Sequence, residues 1–257
     1  MATLPELVTQ ALVDLRAATA SILGLEARVQ AKFDSNTTTV TTIIQQFISR
    51  PASINVFCDP VRGDDANDGS TPDKAKKSLD GIVASMTGPS GVAVLLLEDA
   101  IMRRRSSAAG PLVLWGCQRS NNAYGYIFTQ RTVGFLGIAE NSPIQGPSGN
   151  STTAAGIFMD GPKLTANFIN FVLPDQPANQ SFPAHLTSSA SLMAFNSCNV
   201  SVSGANAGSL IGVLNGRASV FGSFVLGANV PGHLFKDVPA GANPNAQFAY
   251  ETNITSA

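Results

Sequence analysis

The stretch from Pro51 to Met86, PASINVFCDPVRGDDANDGSTPDKAKKSLDGIVASM, divides the chain into two unlike parts. Ile54 to Cys58 is a short β-type run. It enters a loop dense in Asp, Asn and Gly, residues that favour turns through positive φ and local side-chain hydrogen bonds. Leu79, Ile82, Val83 and Met86 then recur at helical spacing on one face. Before this stretch the periodicity is helical, and after it almost wholly strand-like. The stretch therefore reads as a junction, and as the cap on whatever begins next.

From about residue 6 to residue 50, apolar residues recur at alternating spacings of three and four. They are Val8, Leu12, Leu15, Ile22, Val29, Phe33, Val40, Ile43 and Phe47, with Thr19, Glu26 and Asn36 at the remaining seam positions. A sustained repeat of this kind predicts a left-handed coiled coil. The bulk of Phe33 and Phe47 favours three strands over two. Two amphipathic helices packed on a globular domain are the competing reading. Pro51 ends the helix, because the residue before a proline is pushed out of helical angles.

Beyond the junction, strand-like runs separated by Gly, Pro, Asn and Ser are expected at Val92–Glu98, Ile101–Arg105, Leu112–Cys117, Tyr126–Gln130, Val133–Ile138 and Gly156–Met159. They continue at Leu164–Val172, Ser191–Phe195, Asn199–Ser203, Ser209–Leu214 and Ala218–Leu226. Aligning Leu192 with Leu210 and Val200 with Val220 gives a period near twenty residues. A unit of that length cannot bury its apolar face alone and must stack on its neighbour, which predicts a β-solenoid. A jelly roll or sandwich is the alternative.

Charged residues are 13% of the chain, about half the usual share, and the net charge is −1. That balance argues against nucleic acid or an anionic membrane as a partner. No run approaches membrane-spanning length, and no basic-plus-apolar leader opens the chain, so synthesis in a cytoplasm is expected. Cys58, Cys117 and Cys198 are odd in number and widely spaced, so no disulfide framework or zinc site follows, and Cys58 and Cys117, each in an apolar run, read as buried free thiols. The Asn-x-Ser/Thr triplets and the Arg62-Gly63-Asp64 tripeptide read as products of composition.

The run NVFCDPVRGDDANDGSTPDKAKKSLDGIVASM resembles the N-terminal cap of pectate-lyase-like right-handed parallel β-helix proteins, a cap common in bacteriophage tail fibres and tailspikes. Asp59, Pro60, Gly63, Asp64, Asp65, Asn67, Asp68 and Gly69 match its loop, and Ser78 through Met86 match its helix. Lys77-Ser78 departs from the more usual aromatic-Lys-Thr. The match covers about forty residues. It implies a mainly β chain with a trimeric coiled coil at 1–50, a β-helix cap at 51–90, a right-handed parallel β-helix at 91–229 and an irregular tail at 230–257. It also implies a homotrimeric fibre in the virion, fixed to tail or adaptor proteins through its N-terminal part and meeting a host cell-surface polysaccharide or receptor. A polysaccharide-depolymerising tailspike, and an adaptor carrying another fibre protein, are the alternatives.

No catalytic, cofactor-binding or metal-binding residue is assigned. Cleavage of a glycan by hydrolysis needs two carboxylates roughly 5 to 9.5 Å apart. The acids after the cap are Glu98, Asp99, Glu140, Asp160, Asp175, Asp237 and Glu251, mostly beside turns, where solvation accounts for them. His185 and His233 stand isolated next to turns. The Asp64/Asp65 loop fits no register of the EF-hand pattern, and Asx turns and helix capping account for its side chains. Arg103–Arg105 is the one basic run, able to meet an anionic glycan or a partner. On a strand, one of the three must turn inward or sit at a bulge. Tyr124 and Tyr126 are candidates for stacking on sugar rings, whereas Trp115, within LVLWGC, reads as core.

Overall fold

A computed structural model describes residues 4, 9–17, 19, 54–142, 152–159, 163–177, 184–188, 191–214, 216–247 and 249–254. The chain forms two compact units, Met1–Pro51 and Ala52–Ala257.

In the first unit, residues 9–17 are helical and wholly exposed, with Leu12, Val13 and Leu15 all more than half accessible. Gln10 donates to Asp14 one turn on at 2.9 Å, the contact expected between i and i+4 on a helix surface. The expectation of an N-terminal coiled coil is corrected here, because no helical coiled coil is present among the described residues. Apolar residues at 12, 13 and 15 lie on more than one face, and no seam is buried among the described residues. The seam positions Val8, Ile22, Glu26, Val29, Phe33, Asn36, Val40, Ile43 and Phe47 lie outside the described residues.

The second unit is mainly parallel β. Its strands are β1 Ile54–Cys58, β2 Val92–Leu96, β3 Ala100–Met102, β4 Arg105–Ala108, β5 Leu112–Arg119, β6 Tyr126–Phe128, β7 Arg131–Phe135 and β8 Gly156–Met159. They continue with β9 Lys163–Asn167, β10 Ile169–Leu173, β11 Ala184–Ser188, β12 Leu192–Val202, β13 Ser209–Val213, β14 Ala218–Leu226 and β15 Tyr250–Thr252. Eleven strands join one sheet, and β13, β11, β8 and β4 make a second. Every ladder is parallel except the β5–β6 hairpin.

The expected right-handed parallel β-helix is likewise corrected, since the parallel sheets curl into a half-barrel. Two observations explain why. First, the spacing between paired strands is not constant. Val92 pairs with Leu112, twenty positions on, but Leu112 pairs with Leu164, fifty-two positions on. Leu192 and Leu210, aligned as repeats in the sequence, fall in different sheets. Second, β12 pairs with β9 over Leu192–Asn196 and with β10 over Asn199–Val202. One strand thus fuses two ladders into a single curved sheet, bending through a register shift and Ser197 at φ +52°.

The inner faces pack Leu96, Leu114, Leu164, Ile157, Phe171, Phe195 and Leu186 into one core, which also takes Val230, Leu234, Phe235 and Tyr250 near the C-terminal end. On the opposite face of β5, Phe57, Leu95, Leu97 and Cys117 form a smaller apolar cluster. Amide side chains stack between neighbouring strands, with Asn196 donating to Asn167 at 2.9 Å and Asn199 to Asn170 at 2.6 Å.

The junction folds as β1, the Asp-rich loop and helix α1 (Leu79–Ala84). Leu79, Ile82, Val83 and Met86 are all buried, at about 1.5–3 kcal/mol each before the cost of ordering the chain. Ser78 caps the helix by accepting from the Gly81 N–H at 3.1 Å.

Candidate functional site

Three side-chain assemblies stand out in the second unit, and the Asp-rich loop is the first. Asp59 is fully buried. One of its oxygens accepts from the N–H groups of Val61 at 3.1 Å and Arg62 at 2.9 Å. The other accepts from Nε and Nη2 of Arg119, at 3.1 and 3.0 Å. Burial alone would raise the Asp59 pKa, but these donors outweigh it and hold the carboxyl below its ordinary value. Arg119 also reaches Asp73 at 2.9 Å and the Pro72 carbonyl.

Asp64 accepts from the Ala66 N–H, and Asp68 from the N–H and hydroxyl of Ser70. Asp65 accepts from the N–H groups of Lys77 and Ser78. These carboxylates are thus engaged in turns, a cap and an ion pair. Among the described residues, no three of His, Cys, Asp and Glu gather as a metal-ligand set.

The second assembly is a cleft of about 850 Å³ between α1 and the start of β4, lined by Lys76, Asp80, Arg103, Arg104, Glu140 and Asn141 among others. Its walls are pinned through the main chain. The Asp80 carboxylate accepts from the N–H groups of Arg103 at 2.9 Å and Arg104 at 3.1 Å. The Glu140 N–H donates to the Arg103 carbonyl at 2.8 Å. Asn141 both accepts from the Arg105 N–H and donates to its carbonyl, each at 2.9 Å.

Arg103 and Arg104 lie between β3 and β4, off the strand alternation, so both side chains face the cleft. They are 59% and 64% exposed and share Glu140, at 3.4 and 3.8 Å. Burial raises the Asp80 pKa against the pull of the two N–H donors, and the Glu140 charge raises it further. Arg105 is the member of the basic run that turns inward. It donates to the carbonyls of Ala154 at 3.1 Å and Ala184 at 3.0 Å, and to the Thr187 hydroxyl.

The third assembly is an aromatic ledge on the outer face of the large sheet. Trp115 lies 4.8 Å from Phe128, and Phe128 stacks on Phe168 at 6.1 Å with 23° between the ring planes. Tyr126 meets Phe128 edge-on at 5.7 Å. Phe128 is 50% exposed and Trp115 is half-buried, while Tyr124, in the turn before β6, is 79% exposed and belongs to none of these ring contacts. Phe168, at the corner between β9 and β10, has φ +56°, a conformation a bulky side chain adopts only when its surroundings compel it. Its N–H donates to Asn196 and its carbonyl accepts from Arg131, which locks the corner.

No family model, curated protein or solved structure matches the chain.

The remaining expected acids are scattered. Glu98 pairs with Arg131 at 3.4 Å, Asp99 accepts from the Thr132 N–H, and Asp175 from that of Asn206. Asp237 pairs with Lys236, and Glu251 accepts from Ser219. Asp160 lies outside the described residues. His185 is buried, stacked 4.4 Å from Phe135, with Nδ1 donating to the Ala155 carbonyl and Nε2 accepting from Gln176. Burial pushes its pKa down to about 4. His233 is a partly exposed turn residue.

All three cysteines are buried thiols. Burial raises each, Cys117 to about 12. Sequence reasoning missed Asp80, Arg119, Phe128 and Phe168. For Phe168 a signal exists: Leu164 and Ala166 face inward on even numbers, and Ile169, Phe171 and Leu173 on odd ones, so the chain must turn a corner between them.

Proposed function

We propose that this chain is a structural and adhesive protein of a bacteriophage tail, of fibre or spike type. It works as a homotrimer, joins the virion through its N-terminal part and takes part in recognition of the host surface. The observation carrying the adhesive part is the aromatic ledge. Exposed aromatic clusters on a rigid sheet mark interaction surfaces. Flat rings such as Phe128 and Phe168 match the C–H faces of pyranose sugars, and exposed amides such as Gln130 and Asn196 lie nearby to meet their hydroxyls. The resemblance of the Asp59–Gly69 loop and its helix to tail-fibre caps supports the virion assignment.

The purified chain is expected to compete with phage for host cells, and Phe128→Ser to weaken that competition at least tenfold without altering the melting temperature by more than a few degrees. Competition unchanged by Phe128→Ser would remove the ledge from the reading. Binding to virion proteins alone would replace it with an adaptor role, and release of new reducing ends or unsaturated sugars would make the chain a depolymerase. Light scattering that returns a monomer would sink the trimer.

A further inference from the structure

The cleft beside α1 holds a charge arrangement that the ledge does not use. Its backbone is fixed on both sides, by Asp80 on the Arg103 and Arg104 N–H groups and by Asn141 on Arg105. The two guanidiniums above it are more than half exposed and share one carboxylate at 3.4 and 3.8 Å, looser than the roughly 2.7–2.9 Å of a strong charge-assisted bond. Lys76 and Asp65 also line the cleft, but the Lys76 ammonium is held by the carbonyls of Asp65 at 3.2 Å and Asn67 at 2.6 Å, so the two arginines are the cations turned to a ligand. A cleft of about 850 Å³ has room for one or two sugar units.

The geometry points to a binding site for carboxylate-bearing sugars of an acidic surface polysaccharide, in which Arg103 and Arg104 take the ligand carboxylate and Glu140 is its internal competitor. Free, the chain sets both guanidiniums against Glu140, Arg103 by a long hydrogen bond of 3.4 Å and Arg104 by charge alone at 3.8 Å. On binding, a uronate carboxylate takes that place with shorter, paired contacts, because a planar guanidinium matches a carboxylate edge. Glu140 swings out to water, where its 43% exposure already places it. Asp80 takes no part in contact and acts as a positioning residue. This inference rests on the host-recognition reading above and specifies the class of glycan.

The sign of one substitution tests it. Calorimetric titration of the full chain with an oligogalacturonate, against neutral maltohexaose, is expected to show binding of the acidic oligomer, weakened by added salt. Glu140→Gln is expected to tighten it by about two- to fivefold, the range a partly exposed ion pair supports. Arg103→Gln with Arg104→Gln is expected to weaken it at least tenfold.

An affinity gain cannot come from misfolding, so Glu140→Gln stays informative even if the arginine variant is unstable. Absence of binding to both the native chain and Glu140→Gln, or equal affinity of the two, overturns the inference. If host-cell competition persists in that case and depends on Phe128, the recognition reading stands and only the cleft assignment fails.

Discussion

The ion pair that locks the Asp-rich loop offers the sharpest quantitative test. Arg119→Met keeps the aliphatic bulk of the side chain but leaves Asp59 fully buried with only the Val61 and Arg62 N–H groups as donors. Breaking a buried pair from one side costs about 3–5 kcal/mol, because the orphaned charge keeps its desolvation penalty. The Asp73 contact adds little, since that side chain is 95% exposed. For a unit of this size the loss lowers Tm by roughly 6–20 °C.

Urea unfolding followed by fluorescence of Trp115, the one tryptophan, four residues before Arg119 on β5, reads the change directly. The double variant with Asp59→Asn is expected to recover part of the loss, because the charge is gone. The pH dependence has a definite sign. The folded Asp59 carboxyl titrates below its unfolded value, so in that window the unfolded chain binds more protons and stability rises with pH. The pair's contribution is complete above the ordinary carboxylate value near 4 and fades as pH falls through the folded pKa. A difference between native chain and Arg119→Met under about 1 kcal/mol at pH 7, or one that grows on acidification, would refute this reasoning.

Two further outcomes follow from packing and burial. A Cβ at Gly116 would sit 2.2 Å from the Phe168 carbonyl oxygen and 2.3 Å from that of Thr129, both main-chain atoms, so Gly116→Ala is expected to cost about 2–3 kcal/mol; a Tm within a degree of native would contradict the close approach. His185, lowered from 6.5 to about 4 by burial, stays neutral while the unfolded imidazole takes up a proton, so stability should fall as pH drops from about 6.5 toward 4. His185→Gln should flatten that segment of a Tm-versus-pH curve, and an unchanged slope would place the titration elsewhere.

The local chemistry of the junction was legible in the sequence. Turn residues, the Ser78 cap and the apolar face of α1 are short-range matters, and Asp64, Asp65 and Asp68 bond to neighbours in the same loop or its helix. The partner of Asp59 was not legible, because Arg119 lies sixty residues away, on a strand whose register sets the meeting. The cleft was half legible. Arg103–Arg105 drew notice as a basic run, but Asp80 was hidden within a capped helix and Glu140 among acids with no evident company.

By itself the sequence determined strand content, the break at Pro51 and most strand positions, because alternation and turn residues act over a few positions. Which strands are continuous, and which faces meet, only the tertiary structure decided. Leu164–Val172 looks like one run and turns a corner at Phe168, whereas Ser191–Phe195 and Asn199–Ser203 look like two and form β12. The difference arises from neighbours. Phe168 is held in its corner by bonds to Asn196 and Arg131, and Ser197 is carried through its bend by ladders on both sides. Inter-strand bonds across twenty to fifty-two positions set the curvature, and no window of sequence contains both partners.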